Sequence, residues 1–128
     1  MMTWGGMAAV GIGAAIGAWA RWLLSVWMNA LVPQLPLGTL AANLVGGFFA
    51  GFALEFFRVG AALPPEWRLF AVTGFLGGLT TFSTFSAESL SLVSSGQWGW
   101  ALGHTLIHVL GCLAAAGLGA AVFRMLLA

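Results

Sequence analysis

Uninterrupted apolar length is what most limits the folds open to this chain. Four runs, roughly residues 4–31, 38–57, 67–94 and 98–125, use nearly the whole sequence. A helix needs about 20 apolar residues to cross a bilayer, and each run meets that length. Pro33 and Pro36 part the first two runs and Pro64-Pro65-Glu66 the second and third, while Ser94-Ser95-Gly96-Gln97 parts the third and fourth. All three are turn or breaker chemistry. Backbone in lipid must satisfy its own hydrogen bonds, which restricts apolar spans of this length to helices. The sequence therefore predicts an all-α integral membrane protein, with one domain of four transmembrane helices over residues 1–128 and both termini on the same side.

Charge agrees with length. Only 5% of the 128 residues are charged, whereas soluble domains carry about 25%. The ionised groups are Arg21, Arg58, Arg68, Arg124, Glu55, Glu66 and Glu88. A net charge of +1 gives no footprint for nucleic acid. Cys112 is the lone cysteine, so no intrachain disulfide can form. The N-terminus lacks the basic region of a signal peptide, and its apolar run reads as retained. Trp4, Trp27, Trp67, Trp98 and Trp100 fall near span ends, as an aromatic belt would. The side expected to hold the termini carries Arg58, Arg68 and Arg124 against Arg21 toward the other side. That bias points the termini to the cytoplasm but is weak enough to allow insertion both ways.

Against this background one stretch is anomalous: Gly74-Phe75-Leu76-Gly77-Gly78-Leu79-Thr80-Thr81-Phe82-Ser83-Thr84-Phe85-Ser86-Ala87-Glu88. Lipid offers its hydroxyls and carboxylate no partners, so the stretch must face protein, water or an ion. Glycines beside β-branched threonines are poor helix material, which predicts a break in the third helix at residues 75–80. Broken helices at membrane depth expose N–H and C=O groups that bind a passing substrate. The reading is a chain that moves an ion.

The other spans carry polar and small stripes. Gly13, Gly17, Arg21, Ser25 and Asn29 recur every fourth residue in the first, so one face packs on protein. Arg21 is either a snorkelling anchor or an attractor for an anion. Thr39, Asn43, Gly47 and Gly51 repeat the device in the second span. The Asn43 amide has two N–H donors, enough to hold an anion or to join helices. Depth arithmetic at 1.5 Å per residue sets Asn43 about 22 Å from the terminal side and Phe82 and Phe85 about 23–27 Å from it. Amide and rings can therefore meet at one level. The phenylalanine pair is either packing or a set of positive ring edges turned to an anion. Glu55, beside Arg58 at the end of the second span, reads as interfacial. His104, His108 and Cys112 make one face of the fourth span polar. Two histidines from one helix make an incomplete metal site, with nothing else of the right kind clustered beside them. This face lines a pore or joins helices. Gly99, Gly103, Gly111, Gly117 and Gly119 predict tight packing along the same span. The glycine faces also ask for a partner, most simply a second copy.

The third-span stretch, with Gly38-Thr39-Leu40-Ala41-Ala42-Asn43-Leu44-Val45-Gly46-Gly47 and Gly17-Ala18-Trp19-Ala20-Arg21-Trp22, resembles the motifs of the Fluc (CrcB-type) fluoride channels. The resemblance extends to length and span count. It implies an antiparallel, dual-topology homodimer in the cell (inner or plasma) membrane, with two pores passing fluoride down its gradient. Asn43, Phe82 and Phe85 would surround the ion, with Ser83, Thr84 and polar groups such as His108 beside the rings and Glu88 toward a pore end. Backbone carbonyls of Gly77 and Thr80 would bind a sodium ion (Na+) at the dimer centre. Fluoride, lipid and a second copy are the implied partners. His108, Cys112 and Ala116 depart from the hydroxyl-rich track of some members.

Two other readings compete. A proton-driven dimeric exporter would need a glutamate deep in the first span, where this chain has Arg21. A non-transporting assembly partner fits the glycine faces but not the broken span. An enzyme is weaker still, since no nucleophile–base pair is visible.

Overall fold

The computed structural model describes residues 2–60 and 62–128. Helix α1 runs Trp4–Met28 and tightens into a 3₁₀ turn at Asn29–Leu31; α2 runs Leu37–Arg58. Helix α3 opens at Pro65–Arg68, widens to a π-helix over Leu69–Leu76 and closes with a turn at Gly77–Leu79. Helices α4 (Phe82–Ser94) and α5 (Trp98–Leu127) follow. Among the described residues, four segments are long and apolar enough to cross a membrane: Trp4–Leu31, Leu37–Arg58, Pro65–Ser94 and Trp98–Leu127. They fall where the sequence places them.

Local chemistry explains the ends. The Thr3 hydroxyl accepts the Gly6 N–H at 3.0 Å and caps α1. Helix α4 stops at Gly96, whose φ of +74° suits glycine. The Gly96 N–H then returns to the Val93 carbonyl and the Gln97 N–H to that of Leu92, the paired closure of a Schellman end. Helix α2 starts after Pro36, which has no side chain to cap it. Asn29 supplies the cap from α1, its Oδ1 accepting the Thr39 N–H at 3.0 Å.

Small residues set the packing. Gly13 lies against the backbone of Phe70 and Phe75, Gly17 against Phe75 and Leu79, and Gly78 answers from α3 against Ala14. Between α2 and α5, Gly51 faces the Ala116 carbonyl and Gly119 the Phe48 carbonyl. The α1 and α2 stripes thus pack on protein as expected. The glycines of α5 do so only in part. Gly119 and Gly111 meet α2, but among the described residues Gly99, Gly103 and Gly117 have no neighbouring atom within 4 Å of where a Cβ would sit. The packed face of α5 is the one that carries His104, His108, Cys112, Ala116 and Phe123, and those three glycines lie off it.

One end of the bundle gathers the charges. Glu55, only 4% exposed, accepts from Arg58 at 2.7 Å and from Arg124 at 2.6 Å. It lies at the end of the second span beside Arg58, and it is a buried brace between α2 and α5. Gly5 approaches Glu66 at the same end, so both termini sit on the side of the α2–α3 loop. Exposed Trp4, Trp27, Trp67 and Trp98 lie at span ends.

The break stands later than residues 75–80. Phe75 through Leu79 remain helical, and the chain turns extended at Thr80 (φ −86°, ψ 155°) and Thr81 (φ −151°, ψ 113°). Gly74 and Gly78 serve close approach to α1. The threonines make the break, because the Thr80 hydroxyl donates to the Leu76 carbonyl at 2.8 Å while Thr81 accepts the Thr84 N–H at 3.1 Å. One threonine ends α3 and the next caps α4.

Candidate functional site

The extended pair Thr80–Thr81 leaves backbone groups that the neighbouring helices take up. Asn43 on α2 grips Thr81 twice, its Oδ1 accepting the Thr81 N–H at 2.7 Å and its Nδ2 donating to the Thr81 carbonyl at 3.1 Å. The same Nδ2 meets His108 Nδ1 at 3.3 Å. Arg21 donates from Nε to the Gly78 carbonyl at 3.0 Å. That is a task neither sequence reading of Arg21 contained: it satisfies a carbonyl of the interrupted helix.

The carbonyls of Gly77, Gly78, Leu79 and Thr80 lose their helical partners, and Arg21 takes up that of Gly78. In an unbroken helix the Thr81 N–H would go to Gly77 and the Thr84 N–H to Thr80. Here those hydrogens go to Asn43 Oδ1 and Thr81 Oγ1. The oxygens of Gly77 and Thr80 are thereby released, and hard cations suit such ligands. The chemistry of the donor set fits Na+.

Beside the break is a cavity of about 480 Å³, with Asn43, Gly77, Thr80, Thr81, Phe82, Phe85, His108 and Cys112 in its lining. Gly46 lets Thr80 approach α2, since a Cβ there would meet the Thr80 methyl. Phe85 is buried, whereas Phe82 is 78% exposed at the cavity's edge, the ring centroids 5.4 Å apart. The structure thus brings Asn43, Phe82, Phe85 and His108 around one space. Ser83 and Thr84 lie next to it, their hydroxyls 3.2 and 3.1 Å from that of Thr81.

Glu88 lies beyond Phe85 in a second network. Its carboxylate accepts from Thr39 Oγ1 at 2.6 Å and pairs with His104 Nε2 at 3.0 Å. Ser89 Oγ lies 2.9 Å from His104 Nδ1. His104 is 1% exposed and stacks on Phe85 at 5.2 Å with 6° between planes. The histidines of α5 therefore divide: His104 ties helices together, while His108 and Cys112 face the cavity. The expectation that no third ligand joins them is overturned. Glu88, His104 and His108 each present a ligand atom within 4.8 Å of the others. Sixteen residues of sequence hid that proximity.

Sequence reading missed Thr81, the pivot of the site. A threonine followed three residues on by a second capping-type residue, ahead of a helical run, was the signal available.

The model of the family described as "CrcB-like protein, Camphor Resistance (CrcB)" matches residues 8–120. A relative from Cupriavidus pinatubonensis, named "Fluoride-specific ion channel FluC", is 62% identical over 94% of this chain and 96% of its own length. Relatives of the same name from Cupriavidus taiwanensis and Burkholderia pseudomallei are 57% identical over 94% of this chain and 52% identical over 87% of it. A match through all four spans, with the break and its asparagine clamp inside it, places this multi-pass membrane protein in the CrcB-like family.

Proposed function

We propose that this chain is a fluoride-specific ion channel. The observation that carries the reading is the cavity at the helix break, walled by Phe82, Phe85 and His108 and anchored by Asn43. A small anion leaving water needs compensating contacts that hold it only weakly. Ring edges carry positive potential, and the rings here stand beside hydroxyls of Ser83 and Thr84. Movement would be passive and down the gradient, as the channel reading implies.

The working unit is an antiparallel homodimer of dual topology in the cell membrane, with two pores. Phe82 supports it, because a ring this exposed forms half of a wall that a second copy completes. The oxygens of Gly77 and Thr80 would hold Na+ where two copies meet, and a bound cation there supplies charge that ties the broken helices together. Glu88 lies along the continuation of the path beyond Phe85, and Arg21 acts by holding the break.

The test is fluoride efflux from liposomes containing purified protein, read by an electrode with a potassium ionophore supplying compensating charge. Fast release that needs the ionophore, absent for chloride, is expected. Phe82→Ile should slow it on the order of ten-fold or more. A folded protein that releases no fluoride would sink the assignment and favour an assembly partner.

A further inference from the structure

Away from the break, a groove of about 250 Å³ opens at the charged end of the bundle, between α2 and α3. Ala53, Leu54 and Phe57 of α2 and Val72 of α3 form its walls, and Arg58 and Arg68 stand at its rim. Ala53 lies about 8 Å deeper than Arg58 at 1.5 Å per residue. The groove therefore starts at two cations and descends along an apolar wall.

Those cations have hydrogens to spare. Arg58 gives one N–H from Nε and one from Nη2 to Glu55 Oε2, and a guanidinium has five. Arg68 stands over the Phe57 ring at 5.9 Å and has no acidic partner among the described residues. Both arginines are exposed, as is Trp67 beside Arg68. An indole and an arginine at the end of an apolar span mark the level of the lipid headgroups.

An occupant must offer an anion at the rim and an apolar body below it. A second, antiparallel copy of this chain has no acid to give. Its Glu55 is braced by two arginines, and its Glu88 is held by Thr39 and His104. Its Glu66 lies at the arginine end, near Gly5, and would be turned to the opposite face of the membrane. A small soluble anion would fill the rim and leave the wall bare. A phospholipid without a cationic headgroup meets both demands, since arginine forks match phosphate oxygens and the acyl chain covers the wall.

We propose that this groove holds an anionic phospholipid, its phosphate between Arg58 and Arg68 and one acyl chain along Ala53, Leu54 and Val72. The lipid ties the end of α2 to the start of α3. The site is independent of what the chain transports, and in an antiparallel pair it would occur once in each leaflet.

Native mass spectrometry of the full-length protein in non-ionic detergent tests this, with phosphatidylglycerol and phosphatidylcholine of identical chains as probes. Wild type should hold phosphatidylglycerol on the order of ten-fold more tightly. Arg68→Gln should weaken that binding about five-fold and leave phosphatidylcholine unchanged. Ala53→Phe fills the groove without altering charge and should weaken it to a similar degree. Ala53 borders this groove and not the cavity at the break. Glycerophosphoglycerol, the same headgroup without chains, should not compete at equal concentration.

Equal retention of the two lipids by wild type would overturn the proposal, and that comparison needs no variant to fold. Binding indifferent to Arg68→Gln would remove the clamp. Binding indifferent to Ala53→Phe, or displaced by the chain-free headgroup, would reduce the site to surface charge and equally overturn it.

Discussion

At the scale of single residues, the site is decided by which atom of Asn43 points where. Its amide converts a broken backbone into a defined surface and sets the tautomer of His108 in the same stroke. Replacing the amide by a carboxylate should invert that setting. In Asn43→Asp one oxygen still accepts from Thr81, while the other accepts a proton on His108 Nδ1 and bares the Nε2 lone pair. Glu88, His104 and His108 then become a three-ligand set with its outer partner in place. Outer partners are worth on the order of ten- to a hundred-fold in metal affinity. Zinc should therefore bind Asn43→Asp more tightly than wild type by about that factor, measured by calorimetry on detergent-solubilised protein. Equal affinities would refute the tautomer logic.

At the scale of elements, glycine position matters more than glycine number. A Cβ on Gly119 would run into the Phe48 carbonyl, whereas one on Gly117 would meet nothing within the protomer. Gly119→Ala should lower stability by about 1–3 kcal/mol through overpacking. Gly117→Ala should leave it unchanged or raise it by up to about 1 kcal/mol through helix propensity. Thermal midpoints of the two variants in one detergent give the comparison. The same contrast marks what the sequence could tell. Spans were legible because apolar length is a local property, and the meeting of Asn43 with Phe82 and Phe85 was legible because helical rise converts residue number to depth. The break falls later than the glycines because Thr80 and Thr81 close the two helix ends, while Gly74 and Gly78 serve close contact with α1. The meeting of Thr39, Glu88 and His104 was hidden, since three helices must first pack before those side chains share a partner.

At the scale of the whole molecule, the charged end is weakly asymmetric. Arg58 and Arg124 brace Glu55, and Arg68 lies over the Phe57 ring at 5.9 Å. Three arginines at that end against Arg21 near the other give a bias small enough for both orientations. A protease-cleavable tag at the C-terminus should accordingly be cut from outside in about half of the molecules in intact spheroplasts. Complete protection or complete cleavage would exclude an antiparallel pair.

The exposed ring of Phe82 also bears on how the protein matures. A newly inserted protomer presents an open cavity sideways to the bilayer, and acyl tails are the molecules at hand to plug it. In the proposed homodimer, self-association is a contest with lipid for the same space. Its outcome turns on how crowded the membrane is with newly made copies. Below a threshold of synthesis the proposed channel would be present as protomers without pores, so expression level, and not only sequence, would set its flux.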